Sequence, residues 1–301
     1  MENPRQEIKE SETAFFSALR RAIANKDYKS RRLGPDDLAE YFLPPYFRFF
    51  LRFKKVRENT KEKLDGFLPG LTEFVIARTS YFDDLFVDAL EKNFQQIVFL
   101  GAGYDSRAYR FEALAKETKI YELDAAPTQN RKNACLKKAK IQVSPNVIFV
   151  PIDFNINSLK NTLNDAGYQD NQRTLFIWEG VSYYLESESV DATLAFVSQN
   201  SHHESLIAFD YTISVTENTL NDHYGVKEFS QTMKEHHPNE ELLFSIEKGQ
   251  IITYLEKRGL KVLEHLDNHE IEKRFLLDDQ GDLIGHMTGH FCFVLASPVR
   301  K

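Results

Sequence analysis

The sequence predicts an α/β fold: a doubly wound, mostly parallel sheet with helices ahead of it and an antiparallel hairpin at its end. Three observations predict it. Apolar runs of strand length recur from about residue 96 to about residue 210, separated by segments of helical spacing, the pattern of βαβ units. The first run, Gln96-Ile97-Val98-Phe99-Leu100, ends in Gly101-Ala102-Gly103. Later runs end in an acid: Asp124, Asp153 and Glu179. Core packing does not explain acids at successive strand ends.

Composition narrows the classes. With 301 residues and 42% hydrophobic content, the chain can bury a sizeable core. A formal net charge of −7 argues against nucleic acid as a partner. Cys135 and Cys292 are far apart and form neither a disulfide framework nor a CxxC metal site, which fits a reducing, cytoplasmic setting. No apolar stretch spans a membrane, so no membrane partner is expected. Met1 to Glu10 lacks the apolar centre of a signal peptide and reads as a frayed tail.

Before the first strand the chain reads as helical. Ala14, Phe15, Ala18, Leu19 and Ala22 repeat at three- and four-residue spacing across Ser11–Ala24, with Ser11 or Thr13 as cap. Leu38–Phe53 is rich in aromatics and broken by Pro44-Pro45. Its rings suit helix packing or the apolar wall of a substrate pocket. Gly70–Leu90 is a further helix carrying Arg78 and Asp83, a pairing that by itself suits a solvated face or an ion pair. Residues 1–90 are thus expected to form a helical lid region on a sheet domain spanning 91–301.

The glycine turn feeds a helix expected over Arg107–Lys116. Gly101 permits an unusual backbone angle, and Gly103 lets a ligand approach the main chain. A second strand, Lys119–Asp124, carries two acids at its end, Glu122 and Asp124, on one face. An acid roughly 20 residues beyond the glycine turn suits a ribose hydroxyl partner. A helix follows over Asn130–Lys140, then a strand over Asn146–Asp153 and another over Thr174–Gly180. Ser187 is placed to cap a helix over Glu188–Gln199, and Ser205–Asp210 is the fifth strand.

Ser214–Asn239 is polar and His-rich, with His223, His236, His237 and Pro238, and reads as part of a flap insertion at about 212–248. His236-His237 lacks zinc-ligand spacing, so no metal is expected. A helix over Gly249–Lys257 stops at Gly259. Leu260–Leu266 and His290–Ala296 are the last strands, read as a hairpin joined through Asp278–Asp282.

Strand ends of a parallel sheet bind ligands, and two cofactor classes share this geometry. The nicotinamide fingerprint wants a third small residue where Ser106 stands, and Arg107 follows it. A nicotinamide-dependent oxidoreductase is therefore the second choice. The closing hairpin favours an adenosyl cofactor.

Here the residues carry a resemblance. Leu100-Gly101-Ala102-Gly103-Tyr104-Asp105-Ser106-Arg107 resembles the glycine motif of the leucine carboxyl methyltransferase family. Tyr121-Glu122-Leu123-Asp124 is similar to its second-strand motif, and Glu179-Gly180-Val181-Ser182-Tyr183-Tyr184-Leu185 to its fourth-strand motif. Arg78-Thr79 with Asp83, and the helix containing Thr13-Ala14 and Arg21-Ala22, also match. The likeness covers about Ser11–Tyr211.

The resemblance implies a Rossmann-like, class I methyltransferase fold and S-adenosyl-L-methionine as cofactor. It implies that Arg78 holds the cofactor carboxylate, that Gly101 and Gly103 pass under the methionine and ribose, and that Asp124 accepts the ribose hydroxyls. Asp153 and Phe154 would border the adenine, and Glu179 would face the methionine ammonium. Tyr184 or Tyr183 would position the acceptor. The expected acceptor is a carboxylate, on a small molecule or at a protein C-terminus, with the enzyme a monomer or homodimer. A carboxylate is ionised at neutral pH and needs no strong base. A hydroxyl would, with His286, His290 or His223 as candidates. A non-catalytic S-adenosylmethionine-binding regulator is the remaining alternative.

Overall fold

The computed structural model describes residues 11–28, 32–154, 156–236 and 242–299. The Met1–Glu10 tail and His237, Pro238 and Asn239 of the flap lie outside them.

Among the described residues four α-helices precede the sheet: α1 (Glu12–Tyr28), α2 (Pro45–Phe50), α3 (Lys54–Phe67) and α4 (Leu71–Glu91). Ser11 Oγ accepts the Ala14 N–H at 3.1 Å, the cap expected for α1. Then come β1 (Gln96–Leu100), α5 (Arg107–Arg110), β2 (Lys119–Asp124), α6 (Ala126–Ala139), β3 (Val147–Pro151), α7 (Leu159–Asp165), β4 (Thr174–Trp178), α8 (Ser187–Gln199) and β5 (Leu206–Thr212). Helices α9 (Val226–His236) and α10 (Ile251–Glu256), strand β6 (Leu260–Leu266), α11 (Asn268–Phe275) and β7 (Phe291–Pro298) complete the chain.

The seven strands lie in the order β3-β2-β1-β4-β5-β7-β6. The first five are parallel; β7 runs antiparallel between β5 and β6. Strand order reverses between β1 and β4, so their carboxyl ends open the crevice in which such sheets bind ligands.

Alternation along each strand explains the layering. Ile97, Phe99, Ile177 and Phe293 point to one face, which α1 and α4 cover through Ala18, Leu19, Ala22, Phe74, Tyr81 and Phe86. Val98, Leu100, Phe176 and Trp178 point to the other, covered by α8 and α10 through Val190, Leu194, Ile251 and Leu255. Both faces are dry, which is why the parallel strands are near-continuous apolar runs. Phe74 stacks on Phe291 with centroids 4.0 Å apart, locking α4 onto β7.

Several local expectations are corrected. The helix after the glycine turn is one turn only, because the chain leaves helical geometry at Phe111 to pack that ring on Phe86. Helix α6 starts four residues early, with Pro127 in its first turn, where a missing N–H costs nothing. Helix α8 takes Ser187 as its first residue, not its cap. The last two strands pair as expected, but their connection also holds α11. Its capping box joins Asp267 and Glu270.

Candidate active site

The glycine turn is bound to the end of β2. Gly101 and Ala102 donate their N–H groups to Leu123 O at 3.0 and 2.8 Å. Asp124 accepts the Gly103 N–H on Oδ2 and the Ala125 N–H on Oδ1. Gly101 has φ +85°, and a Cβ there would lie 2.5 Å from Val181 Cγ2. Gly180 has φ +73°, and a Cβ there would lie 3.0 Å from Arg78 Nη1.

The structure separates the two acids of β2. Glu122 is buried against Lys132 Nζ at 2.6 Å and accepts the Tyr109 hydroxyl at 3.0 Å, so it belongs to the core. Burial raises its pKa against the pull of Lys132. Asp124 is partly exposed at the strand end. Burial of its carboxyl still raises its pKa, against the two amide bonds.

Arg78 and Asp83 share helix α4, but both are buried and have different partners. Arg78 places Nε 3.0 Å from Glu179 Oε1, Nη1 3.2 Å from Asp210 Oδ2 and from the Tyr183 hydroxyl, and Nη2 3.3 Å from Ser17 Oγ. The Nε–Glu179 contact is an ion pair without hydrogen-bond alignment, so that buried N–H has no hydrogen-bond acceptor. Asp83 instead takes Arg107 Nε at 2.7 Å and both terminal nitrogens of Arg110 at 2.7 Å.

Arg107 is the cation the sequence reading did not place in the site. It is 1% exposed and also binds Asp105, Glu179 Oε2 at 2.7 Å and Thr79 O at 3.1 Å. Burial alone would lower its pKa. Asp105, Glu179 and Asp83 outweigh burial and raise it. Arg107 in turn holds Asp105 below the usual carboxylate range against burial. Glu179 therefore bridges Arg78 and Arg107. Asp210 was also missed. It is fully buried, takes the Gly180 N–H at 2.7 Å, and has its pKa pushed up by burial despite Arg78. Its position at the end of β5 was the available signal.

Asp153 and Phe154 follow β3, partly exposed; the Asp153 N–H donates to Asn157 Oδ1 at 2.9 Å, and Phe154 packs against the α8 side of the core. Two strands, β2 and β1, lie between β3 and the β4 that leads to Glu179, so the structure groups Arg78, Gly180, Glu179 and Asp210 more tightly than it groups the adenine-side pair.

Beside this cluster lies a cavity of about 290 Å³. Helices α1, α4 and α9 enclose it with Phe16, Phe74, Phe229 and Met233, and Phe291 forms part of its wall. Among the described residues, Arg20, Arg78, Tyr183 and Tyr184 are its titratable lining groups. Burial pushes the Tyr183 hydroxyl well above its usual pKa, so it keeps its proton. The Leu38–Phe53 rings do not line the cavity; Tyr46, Phe49, Phe50 and Phe53 are exposed.

The histidines are elsewhere too. His286 faces Glu272 at 3.3 Å, and His223 is partly exposed with its pKa lowered chiefly by burial. His290 lies behind the cavity wall, against the Phe229 and Phe291 rings, and burial drops its pKa from 6.5 to about 3. A neutral buried imidazole destabilises the fold once the unfolded chain binds its proton. The loss starts as pH falls below 6.5 and grows until about pH 3. Between about pH 7 and about pH 5, wild type should lose about 2 kcal/mol more stability than His290→Asn. Urea unfolding of both proteins at the two pH values measures the difference; parallel losses would refute it.

No helix among the described residues is long and apolar enough to cross a membrane. The leucine carboxyl methyltransferase profile matches residues 14–198. Two relatives carry the provisional name S-adenosyl-L-methionine-dependent methyltransferase. YktD of Bacillus subtilis (strain 168) is 29% identical over 72% of this chain and 70% of its own. A Mycolicibacterium paratuberculosis (strain ATCC BAA-968 / K-10) protein is 28% identical over 96% and 94%. A DUF574 family protein from Streptomyces avermitilis MA-4680 shares the fold with TM-score 0.59 at 12% identity, over 81% of this chain and 90% of that one. A structure from Thermobifida fusca YX, also provisionally named a methyltransferase, gives 0.55 at 12% identity, over 82% and 90%. These relatives disfavour the nicotinamide reading. The chain belongs to the leucine carboxyl methyltransferase family and is an S-adenosyl-L-methionine-dependent methyltransferase.

Proposed function

We propose that the protein is an O-methyltransferase acting on a carboxylate, with the donor at the carboxyl ends of β1, β2 and β4 and the acceptor in the cavity beside them. One observation carries the reading. The cavity shares Arg78 and Tyr183 with the acid cluster, yet among the described residues neither a histidine nor a carboxylate lines it. A hydroxyl acceptor needs a base at that point; a carboxylate arrives already ionised.

The residues suit the donor. Arg78 has a buried Nε–H without an acceptor, which suits the donor's carboxylate. Asp124 suits the ribose hydroxyls, Glu179 the ammonium, and Gly101 and Gly103 the close passage of the ligand. Asp153 and Phe154 suit the adenine edge. S-adenosylmethionine supplies a methyl group already activated on sulfur. The chain's part is alignment and exclusion of water. Tyr183 accepts from Arg78 and donates its hydroxyl proton to Asp210 Oδ2 at 3.4 Å, which fixes its ring in the wall against which the acceptor is positioned, and Tyr184 lies in the same wall. Phe74, Phe229 and Phe291 keep that side dry.

The test is methyl transfer from labelled S-adenosylmethionine to a panel of carboxylic acids, phenols and alcohols. Label should enter acids alone, in a form that mild alkali releases as methanol. Alkali-stable transfer to phenols with none to acids would refute the carboxylate reading.

A further inference from the structure

We infer that Arg20 anchors the reacting carboxylate, and that the acceptor is a compact, apolar monocarboxylic acid; this rests on reading the cavity as the acceptor pocket.

Arg20 and Arg21 are neighbours on α1, both buried, with opposite circumstances. Arg21 is provided for: Nη2 donates to Tyr104 O at 2.8 Å, and Asp36 lies 3.4 Å from its Nε. Arg20 lines the cavity and is 3% exposed. Its Nη1 reaches Phe16 O at 3.4 Å, its Nε has no hydrogen-bond partner, and no carboxylate among the described residues is within ion-pair distance. The acids nearest in effect, Asp65 and Glu73, have partners of their own in Thr72 and Lys61.

A guanidinium buried beside apolar rings without a counter-ion is costly, and an anion placed against it removes that cost. Burial lowers the Arg20 pKa only to about 10, so the group stays charged at neutral pH. Position completes the argument. Ser17, which contacts Arg78, is three residues before Arg20 on the same face of α1, about 4.5 Å along the axis. An acid held by Arg20 therefore has its carboxylate within one turn of the donor cluster. Its remainder lies among Phe67, Leu68, Leu71 and Met233. At the roughly 30 Å³ that a water takes in the liquid, the cavity of about 290 Å³ has room for about ten water-sized groups.

The reaction balances without a base. One carboxylate oxygen forms the new O–CH3 bond as the C–S bond breaks, and that bond's electron pair stays on sulfur. The negative acid and positive sulfonium become a neutral ester and a neutral thioether; no proton moves. The ester leaves Arg20 without its anion, which favours product release.

The probes are octanoate and octanamide, titrated calorimetrically into protein saturated with S-adenosylhomocysteine and, separately, into protein alone. Octanoate should bind wild type at least tenfold tighter than octanamide. In Arg20→Met that preference should fall below about threefold. Binding of S-adenosylhomocysteine should stay within about threefold and the melting temperature should not drop. Arg20→Lys should restore part of the preference and keeps the test open should the methionine variant fold poorly. Equal binding of the two probes to wild type, no octanoate binding, or a preference surviving in Arg20→Met would overturn the inference. Failure of S-adenosylhomocysteine to bind would instead strike the donor-site reading, while the titrations on protein alone still report on Arg20.

Discussion

Arg107→Met should destabilise the protein by roughly 3–5 kcal/mol, measured as a lowered urea midpoint at neutral pH. The arginine is 1% exposed and holds Asp83, Asp105 and Glu179 together. Removing it leaves buried carboxylates facing one another, with only Arg110 on Asp83 and Arg78 on Glu179 as cover. A domain with about 5–15 kcal/mol in hand would then be near its unfolding threshold. Arg107→Lys should recover less than half of the loss, since an ammonium cannot reproduce the planar fork that reaches three carboxylates and Thr79 O. Adding Asp105→Asn to Arg107→Met should recover part of it by removing one stranded charge. A loss below about 1 kcal/mol would mean the cluster does not hold the site together.

Asp124→Ala should weaken S-adenosylhomocysteine binding about 10- to 100-fold, the value of a charge-assisted hydrogen bond of roughly 1.5–3 kcal/mol. The same carboxylate ties down the Gly103 and Ala125 N–H groups, so the variant should also lose about 1–3 kcal/mol of stability. The two effects separate by experiment: calorimetry reports affinity and urea unfolding reports the turn. Asp124→Asn keeps one acceptor oxygen and should fall between wild type and alanine in both. Affinity within about threefold of wild type would remove Asp124 from the donor site.

Much of the fold was legible because its signals are local. Five apolar runs with intervening helical patterns announce a parallel sheet, and acids at strand ends mark its ligand edge. The short α5 was not legible, because Phe111 leaves the helix to meet Phe86, a contact 25 residues away that composition does not encode. Helix α11 was not read from the sequence. Its Asp267–Glu270 capping box is visible in the sequence, but eight mostly polar residues gave the box little apolar periodicity to support.

The site shows the same division. Gly101, Asp124 and Glu179 could be read from strand ends. Partner choice could not. Arg78 and Asp83 look like a helix pair, yet packing on the sheet sends one to Glu179 and Asp210 and the other to Arg107 and Arg110. The Leu38–Phe53 rings offered no clue to which of them face out, since nearly every turn there carries one. The cavity rings, among them Phe16, Phe74, Phe229 and Phe291, come from four separate stretches of chain. Arg20 was not singled out in the sequence; only the fold shows that Arg21 has an acid within ion-pair distance and Arg20 has none among the described residues.

The most direct measurement is a crystal structure of the protein with S-adenosylhomocysteine and octanoate. The expected result has the ribose hydroxyls on Asp124 and the amino-acid end between Arg78 and Glu179. The octanoate carboxylate should be on Arg20, facing the sulfur from the cavity beside Tyr183. S-adenosylhomocysteine bound away from the β1–β4 crevice, or filling the cavity so that no acid fits, would contradict it.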